Sequence, residues 1–203
     1  MNSGRVPALE LCNVCKTFGG LKATDNISIE VKEHEIYGII GPNGAGKTTL
    51  FNLITGVVPL SSGQIKVFGQ DISNLRADKI CKVGVARTFQ NIRLFNSATI
   101  MENLMIACQQ TIQYSAIQGC LRTKQFRKEE HGAQERCRNI LEKFGLLEYK
   151  DFTASKLPYG SQRRVEIMRA LMTDPKVLLL DEPTAGMNEE ATATLAAIIK
   201  YLQ

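Results

Sequence analysis

The sequence has no stretch near the roughly 20 consecutive apolar residues that a membrane-spanning helix needs; its longest apolar runs are short, such as Val177 to Leu180. Met1 to Glu10 has neither the charged head nor the apolar stretch of a secretory signal. The expectation is a cytoplasmic chain that meets any membrane through a partner. No block of basic residues accompanies the net charge of +5, Lys and Arg being dispersed, so nucleic-acid binding is not expected. Cys12 and Cys15 form a C-x-x-C with no second pair to complete a zinc site. Without a secretory signal, the six cysteines read as reduced thiols with structural roles. Internal repeats and low-complexity segments are also absent.

What is present is a globular composition, 203 residues with 44% apolar and 22% charged, long enough to bury a real core. Leu9–Val14 and Ile27–Val31 read as strands, the second alternating apolar and polar residues. Glu35–Ile40 reads as a third strand ending in a glycine-rich turn, followed by a helix over Lys47–Ile54. Gly63–Phe68 and Val83–Thr88 read as further strands, and Lys176–Leu180 as a buried parallel strand after the Asp174-Pro175 turn. Asn188 with Glu189 and Glu190 reads as the cap and acidic first turn of a helix running to about Leu202. Between them, Phe126, Ala133, Cys137, Ile140, Leu141 and Phe144 recur at helical spacing. The layout is α/β, with an α/β core over about 8–99 and 174–203 and an inserted helical lobe over about 100–173. Seven basic against four acidic residues between 122 and 144 fit a solvated helix face, or contact with anionic lipid or a permease.

Gly41-Pro42-Asn43-Gly44-Ala45-Gly46-Lys47-Thr48 fits G-x-x-x-x-G-K-[ST], placed between a predicted strand and a predicted helix. Glycines let backbone N–H groups turn around phosphate oxygens, and the helix start adds its positive dipole end. Lys47 supplies a point charge to the outer phosphates and Thr48 a Mg²⁺ ligand, with Thr49 next in the first turn. The ligand implied is ATP with Mg²⁺. After the strand Lys176–Leu180 stand Asp181 and Glu182, where the carboxyl ends of parallel strands meet a ligand crevice. Asp181 is placed to hold Mg²⁺ directly or through water, and Glu182 to act as general base on the water attacking the γ-phosphate.

With these motifs in place, the sequence resembles the ATPase subunits of ABC transporters from Leu9 through Gln203. Leu157-Pro158-Tyr159-Gly160-Ser161-Gln162-Arg163-Arg164 is similar to the family's signature segment L-S-G-G-Q-Q-R-R. The resemblance implies a P-loop fold of the ABC type with an N-terminal antiparallel β portion. It also implies a dimer in which Gly160, Ser161 and Gln162, at a helix amino end, face the nucleotide of the opposite subunit. It gives Gln90 the role of the Q-loop glutamine, which senses Mg²⁺ and the attacking water, and Phe18 that of the aromatic stacked on adenine. The implied partners are integral-membrane permease subunits, a second ABC ATPase subunit and, indirectly, a solute-binding protein.

Within the family, Phe18-Gly19-Gly20-Leu21, Ala86–Phe95 and the signature look most like subunits of branched-chain amino-acid importers. An exporter subunit, a soluble ABC protein and a binding-only regulator are the rival readings. Three departures accompany the resemblance. Pro158 removes the signature hydroxyl and Ser161 replaces a glutamine. Asn188 stands at the usual D-loop aspartate. The family's switch histidine has no counterpart up to Gln203, since His34 and His131 lie upstream. The expectation from that last departure is a 203-residue polypeptide that, alone, binds Mg-ATP weakly, is marginally stable and turns over slowly.

Overall fold

The computed structural model describes residues 6–111 and 115–201. The first half of the Met1–Glu10 stretch and the Leu202 end of the last predicted helix lie outside the described residues. The chain forms two compact units. One holds residues up to Arg87 together with Lys176–Asp181; the other holds Thr88–Pro175 and the chain from Glu182 onward.

In the first unit, β1 (Leu9–Phe18) and β2 (Leu21–Val31) form a hairpin, and β3 (Ser62–Val67) and β4 (Gln70–Asp71) extend it into an antiparallel sheet of order β2-β1-β3-β4. The two expected N-terminal strands are thus longer than their alternating cores. Leu9, Leu11 and Val14 of β1 and Ile65 and Val67 of β3 put their side chains into one cluster with Leu50, Leu53 and Ile54. Those last three lie on α1 (Lys47–Ile54), the helix expected at the same bounds. The C-x-x-C straddles an irregularity in the β1–β2 register between Leu11 and Val14. Its thiols take separate partners, Cys12 donating to Glu10 at 3.3 Å and Cys15 to Asn26 Oδ1 at 3.4 Å. The Glu10 carboxylate raises the Cys12 pKa above its ordinary value.

A second sheet in the same unit pairs β5 (Val85–Arg87) with β6 (Val177–Leu179) in parallel. Two expectations need correcting here. Val83 closes a helix, α2 (Ala77–Val83), which Gly84 terminates at φ 105°, so β5 starts two residues later. Glu35–Ile40 forms no strand and pairs with none among the described residues, and Ile40 is 98% exposed. A run of apolar residues becomes a strand only where a neighbouring backbone takes its N–H and C=O groups, and residue pattern carries no information about that neighbour.

The second unit is helical. It contains α3 (Ile100–Cys108), α4 (Ala116–Cys120), α5 (Lys124–Lys143), α6 (Tyr159–Leu171) and α7 (Glu189–Tyr201). Thr99 caps α3 in a capping box with Glu102, whose carboxyl the Thr99 N–H and hydroxyl hold below the usual carboxylate range. Asn188 caps α7 as expected, accepting from the Ala191 N–H at 2.9 Å. The inward stripe of α5 includes Ala133, Cys137 and Leu141, and Cys137 meets Cys108 of α3 with sulfurs 3.7 Å apart. Among the described residues no helix is long and apolar enough to cross a membrane.

Two glycines should respond to substitution in opposite directions. Gly63 sits at φ 94°, and a Cβ there would lie 2.4 Å from the Asn13 carbonyl oxygen. Gly63→Ala should therefore destabilise by about 2 kcal/mol or more. Gly132 lies inside α5, where a Cβ would meet nothing within 4 Å, and it should gain roughly 0.5–1 kcal/mol on the same change. Urea midpoints of the two variants check both signs.

Candidate nucleotide site

The phosphate loop, residues 41–46, belongs to the first unit and leads straight into α1. Gly44 and Gly46 adopt φ 82° and 84°, which residues with a Cβ rarely reach. Gly46 is constrained twice, because a Cβ on it would stand 2.3 Å from the Ala23 carbonyl oxygen of β2. As the N-cap of α1 it offers no side chain to the first-turn amides, and that turn carries no acidic residue. The contrast is with α3 and α7, which have caps and first-turn acids of their own. The amino end of α1 is left for an external anion.

Lys47 bends back over the loop and donates to the carbonyl oxygens of Gly41 at 2.6 Å and Pro42 at 2.9 Å. Pro42, Asn43, Gly44, Ala45 and Thr48 are exposed, while Gly41, Gly46, Lys47 and Thr49 are half-buried. Asp181, at the end of β6, is buried and accepts from the Arg87 guanidinium at 2.8 Å, and Arg87 also donates to Asn52 of α1 at 2.6 Å. The Thr48 hydroxyl and the Asp181 carboxylate are hard oxygen donors of the kind Mg²⁺ takes. Such an ion commonly uses one or two protein ligands beside substrate phosphates and water, so this donor set fits it. Phe18 closes β1 at the hairpin turn, 48% exposed, with the Lys16 ammonium 4.9 Å from its ring centroid.

The chain leaves the first unit between Asp181 and Glu182, so the two adjacent acids fall in different units. In the second unit the structure brings together Gln90 and Glu182, two residues far apart in sequence. The Gln90 amide donates to the Glu182 carboxylate at 3.2 Å, and both side chains are exposed. Glu182 itself takes φ 46°, a strained value for a residue with a side chain.

The signature segment opens α6. Pro158 is its N-cap, accepting from the Ser161 and Gln162 N–H groups at 2.9 and 3.0 Å. Gly160 lies in the first turn, the Gln162 amide turns back to the Leu157 carbonyl at 2.8 Å, and the Ser161 hydroxyl oxygen accepts from Arg164 at 3.0 Å. Further along α6, Arg169 lies 5.7 Å from the Phe95 ring centroid, and burial lowers its guanidinium pKa.

Two buried ion pairs were not expected from the sequence: Arg87–Asp181 in the first unit and Arg163–Glu166 in the second. The first links residues distant in the chain and leaves no local pattern. The second had a signal, since Glu166 stands among Val165, Ile167 and Met168, all buried, on a helix with no other acid.

Comparison with known proteins agrees with this geometry. The family model for the ABC transporter domain matches residues 24–185. The chain is 43% identical to the high-affinity branched-chain amino acid transport ATP-binding protein LivG of Salmonella typhimurium, over 97% of this chain and 77% of that one. It is 33% identical to the lipopolysaccharide export system ATP-binding protein LptB of Escherichia coli, over 94% and 73%. An ATP-binding cassette from an ABC transporter, solved without nucleotide, superimposes with a TM-score of 0.81 at 34% identity, covering 97% of this chain and 77% of that one. With its glycine-turned loop, its Asp-Glu pair and this breadth of likeness, the chain belongs to the ABC transporter ATP-binding family.

Proposed function

We propose that this chain is the ATP-hydrolysing subunit of an importer for branched-chain or related amino acids. The observation that carries the reading is the 43% identity to LivG across 97% of the chain, supported by a glycine loop and lysine of the phosphate-binding pattern. The likeness to the export protein LptB is lower, at 33%, so the exporter reading stands second.

In this reading the loop amides of residues 43–48 and the Lys47 ammonium take the phosphates of ATP. Thr48 and Asp181 would hold Mg²⁺, with Gln90 assigned to it by the family likeness, and the ion would supply charge neutralisation on the phosphate oxygens. Phe18 offers its ring face to adenine. Glu182 accepts the proton of water as the water oxygen bonds the γ-phosphorus; the bond to the bridging oxygen breaks, and ADP and phosphate leave. Gln90, bonded to the Glu182 carboxylate, orients that water. The amino end of α6, where Gly160, Ser161 and Gln162 lie, serves the γ-phosphate bound by a second ATPase subunit. The protein acts on the cytoplasmic face of the membrane through permease subunits, and a solute-binding protein delivers the cargo.

Three outcomes test the reading. Lys47→Ala should weaken Mg-ATP binding by roughly ten- to hundredfold, the worth of a lost charge-assisted hydrogen bond; unchanged affinity by titration calorimetry rejects the phosphate-site assignment. In the complex with its permease, Glu182→Gln should bind ATP normally but lose phosphate release by about 10²-fold or more, because an amide cannot take a proton from water. Retained release would move the base elsewhere. Finally, ATPase activity of the assembled transporter should rise with a binding protein loaded with leucine, isoleucine or valine. Stimulation only by an unrelated solute, such as a lipid or a metal ion, rejects the substrate class.

A further inference from the structure

Two charges in the second unit have no task in the chemistry just described, yet they are among its most deeply buried groups. Arg163 is 0% exposed and Glu166 3%. One turn apart on α6, they bond to each other at 2.7 Å. Their other bonds leave the helix and reach two loops. Arg163 donates through NH2 to the Glu182 carbonyl at 2.9 Å, through Nε to the Pro183 carbonyl at 3.4 Å, and through NH1 to the Phe89 carbonyl. Glu166 Oε1 accepts from the Phe89 N–H at 3.3 Å and the Arg93 N–H at 3.4 Å. Phe89 is therefore gripped at both its N–H and its C=O, one by each member of the pair, and it immediately precedes Gln90. The same guanidinium fixes the carbonyl of Glu182 and that of the next residue.

We infer that Arg163 and Glu166 are positioning residues, which hold the base Glu182 and the glutamine Gln90 in register by clamping the backbone of the turns that carry them. The inference rests on the hydrolytic reading above. Three observations support it. The clamp fastens Glu182 in its strained φ of 46°, a conformation that persists only where surroundings impose it. The Gln90–Glu182 contact at 3.2 Å joins side chains that are both exposed, so burial does not set their separation and the backbone beneath them does. A buried ion pair is also a poor stabilising device, since apolar residues of similar size often serve as well. The neighbours Val165, Ile167 and Met168 are apolar and buried, and a pure packing role would suit an apolar side chain at position 166 equally. A guanidinium, by contrast, supplies a planar fork of donors that can hold several carbonyls at once.

The test uses the ATPase subunit assembled with its permease and compares the wild type with two variants. Arg163→Met/Glu166→Met removes both charges together and leaves no unpaired ion; Arg163→Lys keeps the charge opposite Glu166 and loses the fork. Both should stay folded, keep Mg-ATP affinity and KM within about twofold, since Lys47 and Thr48 lie in the other unit, and lose kcat by roughly 100-fold, the cost of misplacing a reacting group by about 1 Å. A folded variant with wild-type kcat overturns the inference, as does a KM that rises in step with the fall in kcat. Unfolding of both variants overturns it too, because the pair would then be holding the fold. Should the wild-type complex itself release no phosphate, the functional reading falls first and takes this one with it.

Discussion

A backbone that must point several N–H groups at one anion has almost no room for side chains, and in this protein the tightest point is Gly46. A methyl group there would collide with the Ala23 carbonyl of β2. Close approach at that position lets the loop rest on the antiparallel sheet and still swing into a left-handed turn before α1. The uncapped amino end of α1, the position of Lys47 and the first-turn placement of Thr48 all follow from that turn. The core cluster below, with Leu50, Leu53 and Ile54 of α1 packed among β1 and β3 residues, fixes the helix and so fixes the direction its amino end faces.

The second unit solves a different problem. The side chains proposed for catalysis there, Gln90 and Glu182, are exposed, on turns rather than regular elements, and one of them is strained. Exposed turns do not hold geometry by packing. The fold compensates from below, with a buried arginine and glutamate on α6 bonded to the main chain of both turns. Specificity of this kind comes from hydrogen-bond direction, which hydrophobic burial lacks.

What could be read from the sequence divides along the same line between local and distant causes. Helix α1 has its expected bounds because a glycine loop, a lysine and an apolar face are all local signals. The Asn188 cap and the inward stripe of α5 are legible for the same reason. Glu35–Ile40 is not, since strand formation depends on a partner chosen by the whole chain. Val83 reads as a strand residue because its β-branched side chain outweighs the helix stop that Gly84 supplies one residue later. In the site, the glycine loop and the Asp181-Glu182 pair are visible as strings. The role of Gln90 is available only through resemblance, and its hydrogen bond to Glu182 and the Arg87–Asp181 pair only from the folded chain.

The inward fold of Lys47 onto the carbonyls of Gly41 and Pro42 makes the loop its own competitor. Its ammonium satisfies two acceptors at home, so an incoming anion must replace both bonds before it gains anything from the charge. Inorganic phosphate, small and singly anchored, has little else to offer in exchange. A nucleoside triphosphate reaches the loop amides, the lysine and, as proposed, the Phe18 ring together, and so has more to set against the exchange. The resting lysine thereby favours a ligand that makes several contacts at once.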